Sequence, residues 1–290
     1  MIRNQKFNKR YMENELQKLD AALRRKIRIF VSGGAAMAFY GLKEATKDID
    51  VVVEARSEFR TVVSALRSLG CKDPKGSVGV AYPQMRANAI LENADGLRLD
   101  IFERVIARKL SLSRGMIDRS RILYDKRRLH VRSLSKEDIF LLKSMTDRDL
   151  DLEDMRIVAE SGIDWNQVKM ECQMQASRTG RIWEDALCEK LIELRERMKI
   201  VAPIEKSICR IADQRILEDW IMRKVGAGIN TVKDLVRETA EPESVIRGAI
   251  SRLIRRGDLA VDRRKKMYRF RLAERRWAPG SGHGLPRRNL

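Results

Sequence analysis

Residues 28–53 read RIFVSGGAAMAFYGLKEATKDIDVVV. Residues 28–32 (RIFVS) form a short strand pattern, Gly33-Gly34 breaks it, and 35–41 (AAMAFYG) continues as a small-residue helix. Residues 48–54 (DIDVVVE) are a β-branched strand that opens on acids. Strand side chains alternate, so Asp48 and Asp50 share one face while Ile49 packs into a core on the other. Two carboxylates so close repel each other unless a cation lies between them, and hard divalent ions take oxygen ligands of this kind. A glycine pair between strand and helix lets backbone N–H groups approach an anion. Ser32, Gly33 and Gly34 are therefore expected to cradle phosphate opposite a metal clamp, the equipment of phosphoryl transfer. A DxD on a strand is also a common solvated feature when it stands alone.

Outward from this stretch, the periodicity predicts an amphipathic helix over 12–27, with Leu16, Leu19, Leu23 and Ile27 on one stripe. Another is predicted over 57–69, capped by Ser57 and ended by Gly70. Residues 89–93 (AILEN), the ADG turn at 94–96 and 97–102 (LRLDIF) make a hairpin. Leu97, Leu99 and Ile101 face one way; Arg98, Asp100 and Phe102 face the other. If this strand pairs beside the DID strand, Asp100 becomes a third carboxylate, able to bind a metal and accept the proton of an attacking hydroxyl. Residues 121–125 (RILYD) and 128–134 (RLHVRSL) suggest a second hairpin. From Ser135, whose pairing with Asp138 resembles a capping box, helices are expected at about 136–146, 148–161, 165–177, 183–198 and 204–224.

Residues 28–155 resemble the nucleotidyltransferase superfamily of DNA polymerase beta-like folds. The closer likeness is to its minimal, abortive-infection-type members, whose pattern is near GGxAxxxxGxxxxTxDID. It is carried here by Gly33-Gly34-Ala35-Ala36, Gly41, Thr46 and Asp48-Ile49-Asp50. The resemblance implies an α+β nucleotidyltransferase fold, a small mixed sheet with helices. It also implies transfer of a nucleoside monophosphate from an NTP, dependent on Mg²⁺ or Mn²⁺, with Asp48, Asp50 and Asp100 as metal-binding and catalytic residues. Lys143 in FLLKSM matches a helical lysine that contacts or positions the triphosphate, and Arg148-Asp149, Asp151 and Asp154 match an acidic cluster. By their own spacing, Lys143 equally suits a snorkelling side chain, and 148–154 a solvated helix face with local ion pairs. Where many relatives carry an Arg in the turn helix, this chain has Ala35, Ala36 and Met37; Lys43 and Lys47 are the nearest replacements.

The chain has 290 residues, ample for two domains at roughly 150 residues each. It holds 60 Lys and Arg against 41 Asp and Glu, a net charge of +19 that attracts polyanions. No stretch approaches the roughly 18 apolar residues of a membrane span, and the N-terminus lacks the apolar core of a secretory signal. Cys71, Cys172, Cys188 and Cys209 form no CxxC pair, so neither a zinc site nor a disulfide framework is expected, and a reducing cytoplasm fits. Secreted, membrane-spanning and wholly disordered classes are set aside.

Residues 211–271 read as helix, helix, turn, helix and hairpin, which resembles a winged helix-turn-helix. The third helix, 242–257, would lie in a major groove and offer Arg247 and Arg252 among its contacts. The hairpin tip Arg263-Arg264-Lys265-Lys266 would sit on phosphates. Residues 213–290 hold 19 Lys and Arg against 10 Asp and Glu, while 1–212 hold 41 against 31, so the charge density favours nucleic acid at the C-terminal end. The expected organisation is a nucleotidyltransferase core at 1–145, a helical region at 146–210, a winged helix-turn-helix at 211–272 and a disordered tail at 273–290. The expected function is nucleotidyl transfer to an acceptor, RNA or another nucleic acid. The alternatives are a DNA-binding regulator with an inert or nucleotide-sensing domain, and a toxin–antitoxin component.

Overall fold

The computed structural model describes residues 5–74, 87–146, 148–239, 241–262 and 269–272. The chain divides into two compact units, one formed by Met1–Gln175 and Lys190–Ile204, the other by Ala176–Glu189 and Glu205–Leu290.

The first unit opens with β1 (Phe7–Asn8), α1 (Lys9–Ala22), β2 (Ile27–Ser32), α2 (Gly33–Phe39), β3 (Ala45–Thr46), β4 (Asp48–Val53) and α3 (Arg56–Ser68). It continues with β5 (Ala89–Glu92), β6 (Arg98–Glu103), β7 (Val105–Ile106), β8 (Leu110–Ser111), α4 (Arg114–Arg119), β9 (Arg121–Asp125) and β10 (Leu129–Ser133). The helices α5 (Lys136–Ser144), α6 (Asp149–Glu160), α7 (Trp165–Thr179) and α8 (Trp183–Met198) follow, the last two crossing from one unit's residues into the other's.

Six strands form one mixed sheet in the order β5-β6-β4-β2-β10-β9. The β4–β6 and β2–β10 pairs are parallel, β2–β4 is antiparallel, and both predicted hairpins are present as the antiparallel pairs β5–β6 and β9–β10. This is a mixed α+β architecture, as expected. Ile29, Val31, Ile49 and Val51 are buried on one face of the central strands, and Phe30 and Val52 on the other. A central strand covered on both sides reads as a continuous apolar run, which is why VVV follows the acids of β4.

Local differences from the expectations have physical causes. The first helix ends at Ala22, not at 27, because Ile27 pairs with Leu129 across β2–β10. Its spacing from Leu23 suits a helix, but the sheet claims it. Ser57 lies inside α3; the side chain of Glu58 caps that helix by accepting from the backbone N–H groups of Glu54 and Ala55, each at 3.1 Å. Ser135 does cap α5, accepting from the Asp138 backbone N–H at 3.2 Å and donating to the Asp138 carboxylate at 2.9 Å.

The second unit contains α9 (Glu205–Gly226), α10 (Val232–Arg237), α11 (Glu243–Arg256), β11 (Leu259–Asp262) and β12 (Arg269–Leu272), with the two strands antiparallel. Ile221, Val225, Leu235, Ile246, Ile250, Leu253 and Leu259 form its core. Thr231 caps α10 by accepting from the Asp234 backbone N–H, and Gly257, at φ +78°, ends α11 in the left-handed conformation. The element order is the one read from the sequence, although the boundary expected at 210 falls inside the continuous helix α9. The basic tip 263–266 and the tail 273–290 lie outside the described residues.

Cys188 of α8 and Cys209 of α9 form a disulfide, with Cα atoms 5.0 Å apart. This corrects the expectation of unlinked cysteines. A spacing of 21 residues carries no local signal, and packing of two helices alone brings the pair together. Among the described residues, no helix is long and apolar enough to cross a membrane.

Candidate active site

The β2–α2 turn is shaped by what approaches it. Gly33 has φ +61°, and a Cβ placed there would lie 2.0 Å from Oδ2 of Asp50. A Cβ on Gly34 would lie 2.7 Å from Oγ1 of Thr46. The glycine pair thus has a role that the phosphate-cradle expectation did not include: it clears room for the β4 carboxylate and for the residue that precedes the strand. Ser32 is buried at the N-cap position of α2, and its side chain makes no capping hydrogen bond.

Register then assembles the acids. Ser32 lies opposite Asp50 across β2–β4, and Asp50 lies beside Asp100 across the parallel β4–β6 pair. Asp48 sits two residues earlier on β4, so all three carboxylates leave the sheet on one face. Thr46 donates to Asp48 at 3.4 Å. Asp50 keeps part of its surface accessible, yet desolvation, followed by repulsion from Asp48 and Asp100, pushes its carboxyl well above the ordinary range. Desolvation also raises Asp100, to about 6, with Arg98 opposing the rise and Asp48 adding to it.

The cations around these acids are unevenly shared. Arg98 donates to both oxygens of Asp100, at 3.1 and 2.8 Å. Lys143 is buried and donates to Asp151 at 2.8 Å and Asp154 at 2.6 Å. Lys43 reaches Asp154 at 2.9 and 3.0 Å, and Arg148 reaches Asp151 at 2.7 and 3.1 Å. Thr146 adds a hydrogen bond to Asp151. Desolvation would raise Asp151, but Lys143 and Arg148 outweigh it and hold its carboxyl below the usual range. Lys143 and Arg148 also lower Asp50, more weakly than its burial raises it.

The snorkelling lysine and the solvated acidic face are therefore both corrected. Asp151 and Asp154 lie on the buried side of α6 with Met155 and Val158. The spacing 151, 154, 155, 158 is an inward helical stripe, and it was the available signal for two buried acids. Asp149 is exposed, as is Lys47, while Lys43 is engaged with Asp154.

The donor chemistry of Asp48, Asp50 and Asp100 suits a hard divalent cation: oxygen ligands only, on one face, with repulsion that a cation would relieve. Among the described residues, however, no three His, Cys, Asp or Glu side chains are grouped so as to hold a metal ion. Asp100 is held by Arg98 instead.

In the second unit, Ser244, Arg247, Ser251 and Arg255 are exposed on α11. Their spacing of three, four and four places them on one stripe. Arg247 is paired with Glu243 on the same helix. Arg252, expected as a nucleic-acid contact, is half-buried and donates to Glu218 of α9 at 2.6 Å. Glu218 also binds Arg256, at 2.7 Å. Arg255, unremarked in the sequence, occupies the outward stripe, where one further turn of spacing from Ser251 would have shown it.

Residues 10–199 match the family described as "Nucleotidyltransferase of unknown function (DUF6036)". Among solved structures, a candidate nucleotidyltransferase from Thermotoga maritima is similar at 13% identity, with a TM-score of 0.35, over 55% of this chain and 99% of the other. No curated protein matches the chain.

Proposed function

Because the chain belongs to this family of nucleotidyltransferases, we propose that it transfers a nucleoside monophosphate from an NTP to an acceptor hydroxyl and releases pyrophosphate. The observation that carries this reading is the register that sets Asp50 beside Asp100, with Asp48 on the same face and Gly33 pressed against Asp50. Mg²⁺ or Mn²⁺, held by Asp48 and Asp50 with Asp100 as third ligand or base, would supply charge neutralisation at the α-phosphate. The chain's own groups do the rest. Asp100, on the same face, accepts the proton of the acceptor hydroxyl as its oxygen attacks phosphorus. The N–H groups of the Ser32–Gly33–Gly34 turn and the exposed Lys47 hold triphosphate oxygens. Lys143 acts on Asp50 through its field and fixes α6 against α5, rather than gripping the triphosphate itself.

The acceptor in this reading is RNA or another nucleic acid, drawn by the excess of 60 basic over 41 acidic residues. The winged-helix reading of the second unit supplies the docking surface through Arg247 and Arg255, with Arg263, Arg264, Lys265 and Lys266 adding to it on the sequence expectation alone. The exposed stripe on α11 also favours a second reading, a DNA-binding regulator whose nucleotidyltransferase domain senses nucleotides or is inert. Incubation with α-labelled NTPs, Mg²⁺ or Mn²⁺ and total RNA separates the two. Transfer by the wild type that is lost in Asp48→Ala supports the enzyme. Absence of transfer, with salt-dependent and sequence-selective duplex binding unaffected by Asp50→Ala, supports the regulator.

A further inference from the structure

Arg98 shares the aspartate face, and the chemistry proposed above gives it no part. It precedes Asp100 by two positions on β6, so the two side chains leave the strand on the same side, and register sets Arg98 beside Asp48. Its Nη2 donates to both oxygens of Asp100, at 3.1 and 2.8 Å. A metal ion drawing on Asp100 would need those oxygens. Among the described residues, Arg98 Nε is buried without a hydrogen-bond partner, as is Arg119 Nε. The arrangement resembles a cation in temporary occupation of an acidic site.

We propose that Arg98 is a positioning residue, an internal counter-ion that holds Asp100 in the metal-free protein and yields it to an entering divalent cation. Three carboxylates on one desolvated face repel, and one guanidinium relieves part of that repulsion. Exchanging the guanidinium for a metal keeps the face compensated throughout. The released guanidinium, with its unmatched Nε, is then free to meet the anionic charge of a triphosphate. Arg98 thereby keeps the affinity for metal alone low. The purpose of the exchange rests on the nucleotidyl-transfer reading, but its test does not.

The test is Mn²⁺ binding to the full chain without nucleotide, followed by electron paramagnetic resonance of the free ion. Arg98→Gln should bind Mn²⁺ more tightly by on the order of tenfold, the scale of one charge-assisted pair. Arg98→Lys, which keeps the charge but loses the planar fork, should show a smaller gain. In an Asp100→Asn background, Arg98→Gln should gain clearly less than in the wild-type background, because only its weaker field on Asp48 and Asp50 remains to be removed, an outcome that a general loosening of the fold would not produce. The proposal is overturned if Arg98→Gln binds Mn²⁺ no more tightly than wild type, if the whole gain survives in Asp100→Asn, or if neither protein binds the ion. Should Arg98→Gln fail to fold, absence of any gain in Arg98→Lys overturns it equally. Label transfer without an Arg98 effect on Mn²⁺ removes this proposal alone. An Arg98 effect without label transfer removes nucleotidyl transfer and leaves the counter-ion.

Discussion

The first unit holds two acidic clusters that differ in how their charge is met. On the sheet face, Asp48, Asp50 and Asp100 have one directly bonded cation among the described residues, Arg98 on Asp100, and both Asp50 and Asp100 are raised. In the second cluster, Asp151 and Asp154 are met by Lys43, Lys143 and Arg148, and Asp151 is lowered. A cluster whose charges are matched within the protein has a structural purpose. One left short of positive charge on a desolvated face costs stability, and that cost is tolerated where a ligand completes it.

The comparison breaks most visibly at Lys143. Lys143→Met leaves Asp151 and Asp154 buried with less compensation and should destabilise the protein by about 3–5 kcal/mol, measured by urea unfolding. A loss below about 1 kcal/mol would show that the second cluster is not the structural one. Gly33→Ala comes next. A Cβ at φ +61°, 2.0 Å from Asp50 Oδ2, should cost about 1–3 kcal/mol. It should also displace the carboxylate, so transfer falls further than the fraction unfolded explains.

The pH dependence of stability sharpens the contrast because the two clusters carry opposite signs. Burial pushes the Asp100 carboxyl in the folded protein up to about 6, above the ordinary aspartate value of 3.8. Its contribution is full below the lower value and is lost as pH rises through the higher one. Asp151 is lowered, so its contribution is present above 3.8 and is lost as pH falls through its folded value. Urea midpoints between pH 3 and 7, without metal, should decline less with rising pH in Asp100→Asn, and decline less with falling pH in Asp151→Asn. The same slope in both variants would contradict the assignment. The smallest expected effect lies in the second unit. Arg247→Ala should weaken duplex binding equally across sequences and reduce the salt slope by about one. An unchanged slope would remove the α11 stripe from the interface.

How much of this was visible in the sequence follows from the range of the interactions. The central strands, both hairpins and the common face of Asp48 and Asp50 follow from period-two alternation over a few residues, whereas Asp100 joins that face only through the β4–β6 pairing. The Ser135 cap is equally local. The second cluster was missed because Lys43 and Asp154 meet across 111 residues, and acids on a helix resemble a solvated face unless their phase is compared with Met155 and Val158. Arg98 was placed on the correct face without a role, since only the structure shows which carboxylate it holds. The disulfide and the engagement of Arg252 with Glu218 depend on how helices pack, which no short spacing encodes.

The claim that the sheet face is the chemical site and not a structural one is tested most directly at Asp50. Label transfer from an α-labelled NTP and urea stability would be measured on the same preparations of wild type and Asp50→Asn. The prediction is loss of transfer by about 10³-fold or more, with stability at neutral pH equal to or above that of wild type. Retained transfer, or a variant that loses activity only because it unfolds, would contradict it.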